Sequence, residues 1–270
     1  MLKEKEVVVA FRTHYWNSAV TKIVKQLKDT FYDSVFDLIV VADETNGTVE
    51  IPNELNLVKV AHKNDFSDFG LTNVPEKKTL WWNGEYPLYV VQKQYPNAKF
   101  YLMIENDVLI TKGVDVVIKN AIESGVDWIG EEVEEFGNYD GIQKTSTSNW
   151  QVKKYRSFMQ ILGVSYEALT ELYHQRLERM KFFDGTEKTW PYVEIFIATA
   201  LMNATKQFSY LDLYKSGVIN DHYTSNNALT IYNPIVWRAN QISHPVLTAR
   251  IATEKNVKKI ISKVRHKIHL

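Results

Sequence analysis

Apolar positions along the chain fall into short unbroken runs separated by stretches of helical spacing, and this alternation begins at once. Residues 6–10, from Glu6 through Val7, Val8, Val9 and Ala10, form a β-branched run that predicts a strand covered on both faces. Asn17 stands where a helix cap is expected, and Val20, Ile23, Val24 and Leu27 share one helical face behind it. A second buried strand is predicted over Phe36 to Ala42, ended by the turn-rich Asp43-Glu44-Thr45-Asn46-Gly47. Leu55 to Ala61 predicts a third strand, followed by a long loop with Asn64, Asp65, Asp68 and Gly70. A helix from about Trp81 to Gln94 comes next. Phe100 to Ile104 is the fourth predicted strand, running directly into Glu105-Asn106-Asp107.

Strand–helix alternation of this kind argues for an α/β fold with a mostly parallel central sheet flanked by helices. In such sheets ligands bind at the carboxyl ends of the strands. That rule sets His14, Asp43, Asp65 and the Glu105–Asp107 cluster along one sheet edge.

The second half is less regular. Residues 130–149 read as an acidic mobile loop, 157–163 as a strand, and Ser165 as the cap of a helix through Arg179. Asp184-Gly185-Thr186 predicts a turn, and a helix from Trp190 or Pro191 would bury Ile195, Phe196, Ala198 and Leu201. No repeat, low-complexity tract or Gly/Ser linker divides the chain, so one continuous domain over 1–250 is expected.

Composition removes several classes of function. Lysine plus arginine is 32 and aspartate plus glutamate is 32, so the basic excess of a nucleic-acid binder is absent. With zero cysteines there is no disulfide framework, cysteine nucleophile or thiolate metal site. The N-terminal apolar run is too short for a signal-peptide core, and no stretch approaches membrane-spanning length. A cytoplasmic protein is therefore expected.

In Tyr101-Leu102-Met103-Ile104-Glu105-Asn106-Asp107-Val108-Leu109-Ile110, two carboxylates and an amide interrupt a long apolar run. Unpaired buried carboxylates are costly, so something must balance them. A hard cation such as Mn²⁺ or Mg²⁺, shared with substrate phosphates, is one answer. A strand end turning into solvent is the other.

A strand ending in acid-x-acid about a hundred residues into an alternating α/β chain resembles the nucleotide-sugar glycosyltransferases of the GT-A fold. Val7 to Asn17 looks like their first strand and nucleotide loop, and Phe36 to Thr45 like their second strand, ending in Asp43. Trp81-Trp82-Asn83-Gly84-Glu85-Tyr86-Pro87-Leu88-Tyr89 with the Phe100–Asp107 strand is similar to a sparsely described group of bacterial and fungal GT-A-like proteins. The likeness covers roughly residues 6 to 130 well, and the motif departs from Asp-x-Asp by having glutamate first.

The resemblance implies a nucleotide-binding half over 1–110 and an acceptor half over 111–250. Asp107, with Glu105, would hold Mn²⁺ or Mg²⁺ as a Lewis acid on the leaving diphosphate. Phe11, Arg12, Thr13 and Asp43 would hold the base and ribose. Lys78, Trp82, Asn83, Glu105 and Asn106 would complete the nucleotide-sugar site. The tryptophans are equally readable as core, and Arg12 as an ion-pair partner.

Glu194, in Trp190-Pro191-Tyr192-Val193-Glu194, is the candidate base for an inverting reaction, with Asp184 in reserve. An acid in a first helical turn also simply complements the helix dipole. His244 is a candidate metal or phosphate ligand, with His222 as competitor. The implied partners are a nucleotide-sugar donor and a glycan or lipid-linked acceptor.

At the C-terminus, Val257, Ile260, Ile261, Val264 and Ile268 fall on one helical face flanked by Lys255, Lys258, Lys259, Lys263, Arg265 and Lys267. A basic amphipathic helix over 251–270 fits peripheral contact with the cytoplasmic membrane face through 255–268, or docking on the domain. Two other functions fit the pattern less well. A nucleotidyltransferase would show a glycine-rich basic phosphate loop early in the chain, whereas the first loop is Phe11 to Asn17. A non-catalytic sugar- or nucleotide-binding scaffold would accommodate the glutamate-first motif but leaves Asp107 and Glu194 without a task.

Overall fold

The computed structural model describes residues 2–60, 66–72, 74, 78–135, 150–219, 223 and 228–268, apart from the side chains of 188 and 260–268. Val7–Thr13 (β1), Phe36–Asp43 (β2), Leu57–Val60 (β3) and Phe100–Glu105 (β4) are the parallel strands that the apolar runs predict. Leu109–Ile110 (β5), Trp128–Gly130 (β6), Glu134–Glu135 (β7), Tyr155–Arg156 (β8) and Ile161–Ser165 (β9) follow. Tyr210–Asp212 (β10), Leu229–Thr230 (β11), Ile242–Ser243 (β12) and Val246–Leu247 (β13) complete the set.

Among the described residues the central sheet has seven strands, in the order β10-β6-β9-β4-β1-β2-β3. It is parallel except for β9, which runs antiparallel between β4 and β6. The sheet crosses both halves of the chain. Gly163 in β9 is required by packing: a Cβ there would come within 2.8 Å of the Phe100 ring and 3.0 Å of Ile129 Cβ.

β1 is buried throughout, with period-2 alternation dividing its side chains between two cores. Val7, Val9 and Phe11 join the core under the helix Ser18–Thr30. Asn17 caps that helix by accepting from the N–H groups of Ala19 and Val20. Val8 and Ala10 face the other core, where Trp82, Tyr86, Trp190 and Phe196 pack. Arg12, next in that alternation, faces the same side.

Several expectations need correction. The helix predicted over Trp81–Gln94 is two helices, Thr79–Trp82 and Tyr86–Gln94, separated at Asn83-Gly84-Glu85. There the buried Asn83 side chain bonds to Val74 O and Thr79 O. The predicted acidic loop 130–149 begins as ordered structure, with Gly130 in β6 and β7 paired to β8; its residues 136–149 lie outside the described set. The strand expected over 157–163 is β9, shifted to 161–165.

The C-terminal helix Ala249–Ile268 docks at its start. Ala252 packs with Ala228 and Leu247, and the Asn256 amide bonds to both the N–H and the C=O of Ala228. Val257 of the expected apolar stripe is exposed. Among the described residues no helix is long and apolar enough to cross a membrane.

Candidate functional site

A cleft of about 470 Å³ opens at the carboxyl ends of β1, β2 and β4, as the topology requires. Arg12, Asp43, Lys78, Glu105, Asn106, Asp107, Glu194 and His244 all line it, so eight of the residues singled out in the sequence meet in one place. His14, placed on this edge from sequence, lines it too, and burial pushes its imidazole below the ordinary range. Asp65 and His222 lie outside the described residues.

The floor is set by strand register. Arg12 in β1 stands opposite Glu105 in β4, and the two form a 2.7 Å ion pair. Arg12 also donates to Leu80 O at 2.7 Å. Burial pushes the Glu105 carboxyl upward, and the Arg12 guanidinium opposes it. Glu105 thus has a protein cation as its partner, which answers how this carboxylate is balanced.

Asp107 is differently placed. The segment around His244 is pinned alongside it by β12 pairing antiparallel with β5 and by Val246 N–H donating to Asp107 O at 2.7 Å. Thr111 extends the seam, exchanging bonds with Gln241. His244 Nε2 consequently lies 3.4 Å from Asp107 Oδ1. Burial acts to raise the Asp107 carboxyl, but the hydrogen bond and charge of His244, with help from Lys255, hold it below its ordinary range. Buried His244 Nδ1 has no hydrogen-bond partner among the described residues. No group of three or more His, Asp or Glu that could hold a metal occurs among the described residues. Asp107 supplies the single carboxylate that suits Mg²⁺ or Mn²⁺ when substrate phosphate and water fill the other positions, and the His244 imidazole stands beside it.

At the other end, Asp43 closes β2 and is held by Thr45, whose Oγ1 and N–H donate to Asp43 Oδ1 at 2.5 and 3.2 Å. Lys78 Nζ lies 5.3 Å from the Trp81 ring centroid, and Trp81 packs 4.9 Å from Tyr192.

Five predicted site residues are not in the cleft lining. Phe11 points to the opposite face of β1 and is fully buried. Thr13 is buried and joins two loops, donating to Tyr15 O and accepting from Asn106 Nδ2 at 3.4 Å. Trp82 is core, its indole N–H donating to Trp190 O at 3.1 Å; its neighbour Trp81 is the one that reaches the cleft, 53% exposed. Asn83 is buried and accepts from Trp190 Nε1 at 2.6 Å. Asp184 is exposed in a turn, accepting from Thr186 and Thr189. Its hydrogen bonds hold its carboxyl low, unlike the raised value a general base needs.

Glu194 lies in the first turn of the helix Val193–Met202. Burial pushes its carboxyl up to about 7, opposed by Arg156. It lines the cleft and also a second pocket of about 350 Å³. The second pocket draws Glu131, Glu132 and Glu134, then Arg156, Ser157 and Phe158, then Tyr214 and Tyr223. Besides Glu194, only the acidity of 131–135 signalled any part of it in the sequence.

No family model matches the chain, and no curated protein does. Among solved structures, it is similar to a glycosyltransferase involved in the glycosylation of the major capsid of PBCV-1. That likeness has 10% identity and a TM-score of 0.41, covering 94% of this chain and 98% of the other. It is also similar to the mannosyltransferase Ktr4p from S. cerevisiae in complex with GDP, with 11% identity and a TM-score of 0.48, covering 76% and 68%.

Proposed function

We propose that this chain is a metal-dependent, inverting glycosyltransferase that moves a sugar from a nucleotide-sugar donor to a hydroxyl acceptor. One observation carries the reading: Glu194, a carboxyl raised to about 7 by burial, stands in the wall shared by two pockets of different chemistry. A general base works best when its pKa lies near the operating pH and when it reaches the hydroxyl it deprotonates.

In this reading the cleft takes the donor. Asp43 and the Thr45–Thr48 turn hold the nucleoside end, and Lys78 faces the diphosphate or sugar. Mn²⁺ or Mg²⁺ held by Asp107 and His244 would supply Lewis-acid charge to the leaving diphosphate. Arg12 keeps Glu105 balanced and the floor of the site rigid. The acceptor hydroxyl gives its proton to Glu194 as its oxygen bonds to the anomeric carbon. The bond from that carbon to the diphosphate oxygen breaks, and its electron pair leaves with the nucleotide. The exposed Lys255 and Lys258 at the start of the C-terminal helix would support contact with an anionic membrane surface carrying a lipid-linked acceptor.

The test is nucleotide release from a panel of nucleotide sugars, comparing wild type with Glu194→Gln. A loss of about 10²–10⁴ in turnover with nucleotide binding retained is expected for removal of a general base. Unchanged turnover would refute the assignment.

A further inference from the structure

The second pocket bears on the class of acceptor. Its carboxylates are Glu131, Glu132, Glu134 and Glu194, and its one cation among the described lining residues, Arg156, already forms an ion pair with Glu134. Phe158, Tyr214 and Tyr223 supply aromatic wall. Tyr223 packs edge-on against Phe158 and Tyr214, with centroids 6.5 and 6.2 Å apart, and Tyr214 is 45% exposed.

Glu131 is the telling residue. It is 1% exposed, and its backbone carbonyl accepts from both Ser157 Oγ and the Tyr210 hydroxyl. Its Oε1 accepts from the Tyr223 hydroxyl, while Oε2 has no hydrogen-bond partner among the described residues. Buried polar atoms are nearly always satisfied, so the unmatched oxygen of this pocket-lining carboxyl is a partner offered to a ligand hydroxyl that enters beside it. Burial and the nearby Glu194 push the Glu131 carboxyl well up, against the Tyr223 hydroxyl and the Gln160 N–H. A neutral carboxyl can both donate to and accept from a sugar hydroxyl.

We propose that this pocket seats the acceptor as an electrically neutral, hydroxyl-bearing sugar, read by Glu131 and covered by Tyr214, and that it rejects acidic or phosphorylated sugars. Aromatic faces suit the apolar faces of a sugar ring, and among the described lining residues four acidic groups stand against a single cation, Arg156, that is already paired, which disfavours an anion. The proposal rests on the transferase reading for the word acceptor. The pocket's preference for neutral sugars is a separate property.

Saturation-transfer NMR on the full chain tests it, using methyl glycosides of several neutral hexoses beside their uronates and 6-phosphates. At least one neutral glycoside should bind, and its anionic counterparts should bind about tenfold more weakly or not at all. Tyr214→Ala should weaken the neutral glycoside about fivefold, the scale of one aromatic contact. Glu131→Gln should weaken it as well; because that buried change can harm folding, the exposed Tyr214 variant carries the test on its own. Anionic sugars binding as well as neutral ones, no glycoside binding to folded wild type, or an indifferent Tyr214→Ala would each overturn the proposal. Nucleotide titrations on the same samples keep the two readings apart. Glycoside binding without nucleotide binding would sink the transferase reading and leave the sugar pocket standing.

Discussion

Arg12 and Glu105 face each other across two neighbouring parallel strands, and their 2.7 Å ion pair forms the floor of the cleft. Arg12→Met should strand the mostly buried Glu105 carboxylate. Removing one partner of a buried pair costs about 3–5 kcal/mol, and the cleft's access to water lowers our expectation to about 2–3. Urea unfolding measures this, and the double variant Arg12→Met/Glu105→Leu should recover most of the loss. A single-variant cost near zero would show that the pair does not hold the floor.

The adjacent tryptophans should behave oppositely. Trp82 is 1% exposed and donates to Trp190 O, so Trp82→Ala should cost about 3–5 kcal/mol of stability. Trp81 is 53% exposed on the cleft, so Trp81→Ala should cost under about 1 kcal/mol while weakening donor binding severalfold. Thermal melts and nucleotide titrations on both variants check the pair.

Glu194 predicts two pH dependences of definite sign. As a base it must be deprotonated, so turnover should rise with pH through about 7 and lose that limb in Glu194→Gln. For stability, its folded pKa lies above the ordinary carboxyl value, so the folded state binds the extra proton between about 4.5 and about 7. Glu194 therefore makes stability fall as pH rises across that window, and Glu194→Gln should flatten the slope. A variant with the wild-type slope would show that Glu194 is not the titrating group.

His244 should matter to metal and nucleotide more than to fold. In His244→Ala, Asp107 loses the hydrogen bond that holds its carboxyl low. Mn²⁺ should then enhance nucleotide binding at least tenfold less than in wild type, as the loss of one of two protein ligands would imply. Equal enhancement in the variant would remove His244 from the site.

How much of this was readable in the sequence follows from where each determinant lies. β1, β2, β4 and the helix Ser18–Thr30 are local features, written in β-branched runs, a cap and a single apolar stripe. The positions of Asp43 and Asp107 at the cleft followed from the strand-end rule, because strand ends are local too, and that of Arg12 from the resemblance. Adjacent residues were harder: Phe11 beside Arg12 and Trp82 beside Trp81 differ only in which side of their element they face. His244 meets Asp107 through the β5–β12 pairing, a contact between residues about 130 apart that no local pattern records. The second pocket is assembled from five separate places in the chain, 131–134, 156–158, 194, 214 and 223, with β9 inserted antiparallel to bring two of them together, and besides Glu194 only its acidity showed in the sequence.

The most direct measurement is isothermal titration calorimetry of UDP, GDP and CMP, with and without Mn²⁺, on wild type and Asp107→Ala. One nucleotide should bind, Mn²⁺ should strengthen its binding, and Asp107→Ala should abolish the metal-dependent part. Absence of binding by all three to folded wild-type protein in the presence of Mn²⁺ would contradict the transferase reading.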